Sequence, residues 1–166
     1  RGEDFDSAIA FWMSELYSAN MSVDPGWFLG LGWAHGTPAE LEGDPSSGFT
    51  GSDVIGFNLQ GRYPSAMGST SWAQTPAIST EYAHSITLSF RRWLGVERAP
   101  YDNALIQAST NGSTWTTIWS NPTANIVDDR WVTQTIPLPP DFAEQPAIYI
   151  RFGMGSTDAV DEFAGW

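Results

Sequence analysis

The sequence predicts an all-β protein, an antiparallel β-sandwich, and three observations support this fold class. Apolar and polar residues alternate with a period of two in several short segments, as they do in strands with one buried face. The chain contains 16 Gly and 11 Pro, so turn signals are frequent. A helical apolar pattern occurs in one segment only, near the N-terminus. Short strands, frequent turns and no central helix are typical of a sandwich.

Composition limits the classes of partner. A chain of 166 residues is long enough for one domain with a sizeable core. Its formal net charge is −12, with 19 acidic residues against seven basic ones, all of them arginine. This charge disfavours nucleic acids and anionic membrane surfaces and attracts divalent cations. No run of about 18 apolar residues is present, so we expect no membrane insertion.

Cysteine is absent, which excludes disulfides and thiolate metal sites. A chain without cysteine fits a secreted bacterial module better than a small animal ectodomain, which usually carries disulfides.

Residues 1–20 are predicted to be an N-terminal extension, for which two structures remain open. Asp6 or Ser7 can cap a helix over 6–20 whose apolar face would carry Ile9, Trp12, Met13 and Leu16, with Asn20 as its end. Alternatively, the stretch around residues 4–13 folds back as a donor strand onto an open sheet edge.

The segment 86–110 predicts two strands joined by a charged, aromatic loop. Ile86, Leu88 and Phe90 alternate with polar residues, and the run 104–109 is again strand-like. The same alternation places Arg92 on the face of Phe90, so its guanidinium needs a buried carboxylate partner. The nearest carboxylates in sequence are Glu97 and Asp102.

The second half of the chain continues the strand pattern. Asn111-Gly112 predicts a two-residue hairpin turn, because both residue types tolerate positive φ. It leads into a strand at 115–119, and a further strand covers 131–138. In the last clear strand Ile148, Ile150 and Phe152 alternate with polar residues, and we expect it to lie well inside a sheet.

Several blocks, in order along residues 21–166, carry a family resemblance: DPGW at 24–27, GWAHGTP at 32–38, SGFTGSDVIGFNLQGRY at 47–63, RRWLGVE followed by YDNA within 91–104, TNGSTWTTIW at 110–119, DDRW at 128–131, and IRFGMGSTDA with a closing GW within 150–166. Together they resemble the jelly-roll accessory modules of secreted bacterial hydrolases, which are similar to MAM-type domains and to the accessory domains of immune-inhibitor-A-like metalloproteases. The resemblance implies a jelly-roll sandwich with calcium in its loops. It also implies a final strand after the closing Gly-Trp, so residues 21–166 would lack that strand.

Scattered loop acids suggest a calcium site. Calcium takes six to eight oxygen ligands, and carboxylates and carbonyls in loops usually supply them. The ligands that we predict are Asp44, Asp53, Asp102 and Asp158. The contiguous EF-hand pattern is absent, and the alternative interpretation is a solvated acidic rim.

Nine tryptophans suggest a carbohydrate ligand, because sugar rings stack on flat aromatic faces. The candidates, if exposed, are Trp33, Trp72, Trp93, Tyr101 and Trp131. The alternative interpretation is that these rings belong to the core.

Catalytic motifs are weak. The two histidines, His35 and His84, form no metal-binding pair, and neither a nucleophile elbow nor a phosphate-binding glycine loop is present. The sequence therefore favours a non-enzymatic, calcium-stabilised binding or assembly module of a secreted bacterial multidomain protein, with a polysaccharide, a protein ligand or another domain of the parent protein as partner. Two alternatives remain open: a carbohydrate-binding module, and a structural subunit completed by a partner β-strand.

Overall fold

The structure is a computed structural model, and it describes residues 14–166. This part of the chain is all-β, and every strand pair is antiparallel. The strands are β1 (Phe28–Leu29), β2 (Trp33–Gly36), β3 (Val54–Phe57), β4 (Ser71–Gln74), β5 (Thr87–Arg92), β6 (Gly95–Val96), β7 (Ala104–Ser109), β8 (Thr116–Ser120), β9 (Ile126–Val127), β10 (Val132–Pro137) and β11 (Tyr149–Met154). A single 3₁₀ turn, Pro140–Phe142, is the one helical element among residues 14–166.

The largest sheet has five strands in the order β1-β4-β11-β7-β8. Its central strand β11 places Phe152 opposite Ile106 of β7 and Ala73 of β4. Alternate residues of β11 and β7 are buried, as the period-two pattern predicts. The expectation that 148–154 lies well inside a sheet is confirmed.

Three two-stranded sheets complete the fold: β10-β5, β2-β3 and β6-β9. Phe90 of β5 packs edge-on against Phe152 of the large sheet, with ring centroids 5.2 Å apart. The core therefore lies between the five-stranded sheet and strand pairs that cover one of its faces, which is consistent with a β-sandwich.

The two strands predicted within 86–110 do not pair with each other. Both strands of that segment exist, as β5 and β7, but they lie in different sheets. β5 pairs with β10, and β7 pairs with β11 and β8. The alternation of apolar residues fixes which face of a strand is buried, and it carries no information about which strand lies beside it.

The hairpin after β7 is longer than two residues. It joins β7 to β8 as predicted, but residues 110–115 form the connection. The Asn111 side-chain oxygen accepts hydrogen bonds from the backbone N–H groups of Ser113 and Thr114, at 2.9 and 2.8 Å. These bonds offer the backbone an alternative to strand pairing and so widen the turn.

The predicted N-terminal helix over 6–20 falls largely outside the described residues, as does the alternative donor strand at 4–13. Residues 14–20, which would form its last turns, contain no helix. The Asn20 side chain accepts a hydrogen bond from the Ser22 backbone N–H at 3.0 Å, a local turn contact. No helix in the described part of the chain is long and apolar enough to cross a membrane.

The last described residues lie between two of the strand pairs. Gly165 and Gly95 exchange two backbone hydrogen bonds of 2.9 Å, and the Trp166 carbonyl accepts a hydrogen bond from the Phe57 N–H at 3.0 Å. This close approach requires a glycine at position 95, since a Cβ there would lie 2.9 Å from the Ala164 nitrogen. Residues 163–166 thus connect the end of β3 to β6.

Candidate metal centre

Chain topology brings three acidic residues to one place. Glu97 directly follows β6, and Asp102 lies two residues before β7. Asp158 lies four residues after β11, whose end, Met154, is paired with the start of β7 at Ala104. Because antiparallel neighbours place the end of one strand beside the start of the other, Asp102 and Asp158 lie at the same end of the large sheet.

The three carboxylates have a spacing that suits one cation. An oxygen of each lies within 4.8 Å of an oxygen of the other two. Two oxygens that each lie about 2.4 Å from a calcium ion are at most about 4.8 Å apart. The cluster can therefore supply three ligands to a single ion.

Hydrogen bonds hold Asp102 in a fixed orientation. The Tyr63 hydroxyl donates to its Oδ2, and the backbone N–H of Asp158 donates to its Oδ1 at 2.9 Å. Asp102 and Tyr63 are both buried. Burial raises the pKa of Asp102, and the hydrogen bonds from Tyr63 and Asp158 act in the opposite direction.

Within residues 14–166, Glu97 is the cluster residue with a buried oxygen that no hydrogen bond or ion pair reaches. It is 7% exposed, and its Oε2 is buried without a hydrogen-bond partner. None of the ion pairs formed among residues 14–166 includes a carboxylate of the cluster. Burial, and then the neighbouring charge of Asp158, raise the pKa of Glu97. An ionised carboxylate in this position is costly unless a cation compensates it, so the residues fit a bound divalent cation.

Asn121, which sequence reasoning missed, fixes the loop that carries two of these acids. Its Nδ2 donates to the carbonyl oxygens of Glu97 and Asp102, at 2.8 and 3.0 Å. Its Oδ1 accepts a hydrogen bond from the Ala104 N–H at 3.0 Å. Asn121 follows β8, far from Glu97 in sequence, and the sequence pattern contains no signal for this contact.

The other two predicted ligands lie outside the cluster. Asp53 accepts hydrogen bonds from the Thr37 hydroxyl at 2.6 Å and the Ser52 hydroxyl at 3.0 Å, and these bonds lower its pKa. Asp44 has a buried Oδ2 without a partner, and burial raises its pKa to about 6. Among the described residues, the acids with metal-ligand spacing are Glu97, Asp102 and Asp158.

Two of the predicted carbohydrate-stacking rings are covered by other side chains. Trp33 is 8% exposed and packs edge-on against Phe57. The Arg151 guanidinium carbon lies 3.8 Å from the Trp72 ring centroid and 3.9 Å from that of Trp115. This stacking covers one face of Trp72.

Of the remaining stacking candidates, Tyr101 is exposed, and Trp93 and Trp131 are partly buried, as Trp72 is. Tyr101 is 46% exposed, with Arg98 5.1 Å from its ring centroid. Trp93 packs edge-on against Trp131 at 5.7 Å and donates a hydrogen bond to the Gly43 carbonyl at 2.8 Å. It lines a cleft of about 840 Å³ whose charged residues are Glu42, Asp44, Arg62, Asp128, Asp129, Asp161 and Glu162.

Arg92 has a partner that sequence proximity did not indicate. It is largely buried, as the alternation predicts, but its guanidinium binds Asp128 rather than Glu97 or Asp102. The two hydrogen bonds, from Nε and Nη2, measure 2.8 and 3.0 Å. β6 pairs with β9, and this pairing brings Asp128 to the end of β5.

Comparison of the chain with protein-family models gives no match, and neither does comparison with curated proteins.

Proposed function

We propose that the protein is a non-catalytic, calcium-stabilised binding and assembly module of a secreted bacterial multidomain protein, with the jelly-roll arrangement that its sequence blocks resemble. The observation that carries the proposal is the buried, unpartnered oxygen of Glu97 beside the carboxylates of Asp102 and Asp158. Three clustered negative charges without a basic partner favour a divalent cation.

Calcium fits this ligand set better than a transition metal does. The cluster offers carboxylate oxygens only, without histidine or cysteine, and oxygen ligands suit hard cations. In this role the ion ties the loop after β6 to the segment after β11 and stabilises one end of the sandwich. The loops at that end would then present a fixed surface to a ligand.

The test is thermal and chemical unfolding with and without calcium. A ligand that binds only the folded state, at 100 times its dissociation constant, adds about 2.7 kcal/mol to stability. We expect exhaustive removal of metal to lower the melting temperature and added calcium to restore it. Glu97→Gln should abolish the response to calcium, because it removes the charge while keeping the side-chain shape.

Glu81→Gln is the matched control, since Glu81 is exposed and lies outside the cluster. It should leave the calcium response unchanged. A melting temperature that is independent of calcium in the exhaustively metal-free wild-type protein would contradict a structural calcium site.

Carbohydrate binding is a second candidate function, and the cleft beside Trp93 favours it. An aromatic wall with several carboxylates can stack a sugar ring and accept hydrogen bonds from its hydroxyl groups. We expect a polysaccharide to quench tryptophan fluorescence and to retard the protein in affinity gels. Trp93→Ala should remove the retardation, whereas Tyr101→Ala, at an exposed ring outside the cleft, should not. The absence of any shift across a broad panel of glycans would refute this candidate.

A further inference from the structure

Among residues 14–166, a gap separates β3 from β5, and residues 165–166 lie between them at one end only. The two strands belong to different sheets, and within the described part of the chain each has a paired strand on one side only, β2 for β3 and β10 for β5. At one end of the gap, Gly165 pairs with Gly95 just beyond β5, and Trp166 accepts a hydrogen bond from Phe57 at the end of β3. A short antiparallel ladder thus begins between the two strands at that end.

Backbone groups along both sides of the gap point into it. The hydrogen bond from the Asn58 N–H to the Gly32 carbonyl marks the even-numbered residues of β3 as those bonded to β2. Because antiparallel strands bond alternate residues to each neighbour, Ile55 directs its N–H and C=O toward the gap. On β5 the bond from the Leu138 N–H to the Ile86 carbonyl sets the same alternation, so Ser89 and Arg91 face the gap.

The groove beneath the gap is apolar and contains unpaired polar atoms of both kinds. Phe90 and Phe152 line it together with Trp33, whose indole Nε1–H is buried without an acceptor. The buried Oδ2 of Asp44, at the rim, has no donor. A bound peptide could pair with both the Trp33 Nε1–H and the Asp44 Oδ2, because its backbone carries a donor and an acceptor at nearly every residue.

We propose that this gap binds one extended β-strand of a partner polypeptide, antiparallel to both β3 and β5, by strand addition. Both flanking strands end beside Trp166, so a single antiparallel strand fits between them and would join the two pairs into one five-stranded sheet. Because residues 165–166 already pair with both sides in an extended conformation, the gap favours an extended backbone over a sugar or a helix.

Side-chain phase and charge specify the occupant. The ring centroids of Trp166 and Phe152 are 5.4 Å apart, so the Trp166 side chain faces the core. A bound strand that extends the ladder from Trp166 would place every second side chain on that same face, and those side chains should be apolar. Proline is excluded where an N–H must reach Ile55, Ser89 or Arg91. The chain carries a net charge of −12, so a second copy of it is disfavoured. The charged residues that line the groove are Asp44, Arg91 and Arg92, so a strand without acidic or basic residues in the groove is favoured.

The experiment uses the full chain and a short peptide in which valine and threonine alternate between two terminal lysines. We expect the peptide to bind and to slow hydrogen exchange at the amides of Ile55, Ser89 and Arg91. A peptide of the same composition with its valines grouped together should bind more weakly, because it cannot place apolar residues on one face.

Two proline variants locate the binding edge. Ser89→Pro removes an N–H that faces the gap, and it should weaken binding about tenfold or more. Thr135→Pro is the matched control, because Thr135 lies directly opposite Ser89 on β10 and directs its N–H away from β5. This variant should bind the peptide as the unmodified chain does.

Three results would overturn the proposal. The first is the absence of peptide binding at millimolar concentration. The second is protection of β10 or β8 amides in place of those facing the gap. The third is protection of the Ile55, Ser89 and Arg91 amides from hydrogen exchange before any peptide is added, since the gap would then already be filled. Sedimentation would identify the occupant: the chain itself if the protein is a monomer, or a second copy if it is a dimer.

Discussion

Two buried carboxylates beside the β6–β9 pair have opposite electrostatic surroundings. Asp128, directly after β9, accepts two hydrogen bonds from the Arg92 guanidinium and a third from the Leu94 N–H at 3.0 Å. Glu97, directly after β6, has one oxygen with no donor at all. The fold supplies a basic partner for one acid and none for the other. A buried acid of the second kind is the one that the proposed cation would stabilise most.

The difference follows from the strand that each acid adjoins. Arg92 ends β5 on its core-facing side, and its side chain passes over the Trp119 ring at 6.0 Å from the centroid. It reaches Asp128 because β6 continues the direction of β5 and pairs with β9. Glu97 turns instead toward Asp102 and Asp158, where the chain offers further acids. The charge of Asp128 is balanced within the chain, whereas the proposed calcium ion would balance the charge of Glu97.

The largest effect is expected on breaking the complete site. Arg92→Ala leaves Asp128 buried without its partner, in a pair whose side chains are 12% and 9% exposed. Loss of one member of a buried pair typically costs about 3–5 kcal/mol. We expect a loss of that size in urea unfolding, equal in the presence and absence of calcium.

Arg62→Ala provides the matched control for this prediction. Arg62 pairs with Glu42 at 2.8 Å, but the two side chains are 49% and 54% exposed. Exposed pairs contribute about 0–1 kcal/mol, so this variant should change little. A cost for Arg92→Ala as small as that for Arg62→Ala, or one that calcium offsets, would contradict the contrast between the two sites.

The sequence predicted the local features of this contrast and missed its long-range ones. Alternation along β5 placed Arg92 in the interior and required a carboxylate for it. The predicted partner of Arg92 was wrong. Glu97 and Asp102 are nearer to it in sequence, whereas Asp128 is nearer in space. The position of Asp128 depends on which strands pair, and a period-two pattern is the same for any partner strand.

The candidate metal centre was predicted in part for the same reason. Asp102 and Asp158 flank strands that the alternation identified, and these strands are neighbours. Glu97 is an acid of the same loop as Asp102 but is not among the four predicted ligands, since burial of its Oε2 depends on tertiary packing. Asp44 and Asp53 share the same loop-rich composition, but their loop lies between β2 and β3. Composition thus identified suitable residue types, and the topology determined which of them meet.

The smallest expected effect is a pH dependence of stability, to which the acids of the cation site and Asp44 of the groove contribute separately. In the metal-free protein, burial raises the pKa values of Glu97, Asp102 and Asp44, the last to about 6. A carboxyl whose pKa is higher in the folded state stabilises that state fully below its unfolded pKa, near 4, and loses this contribution as the pH rises through the folded pKa. Stability of the metal-free protein should therefore fall as the pH rises above about 4, and the part due to Asp44 should be lost as the pH passes about 6. Asp53, whose pKa is lowered, acts in the opposite sense and below that window.

Calcium and a single substitution should divide this loss into two parts. Calcium should remove the part due to Glu97 and Asp102, because the cation compensates their charges as they ionise. Asp44→Asn should remove the other part, at most about 1 kcal/mol after solvent screening of a half-exposed side chain. Urea unfolding of both proteins across this pH range, metal-free and with calcium, measures each part separately. If the metal-free protein gained stability with rising pH throughout the window, Glu97 would not be the uncompensated acid on which the contrast with Asp128 depends.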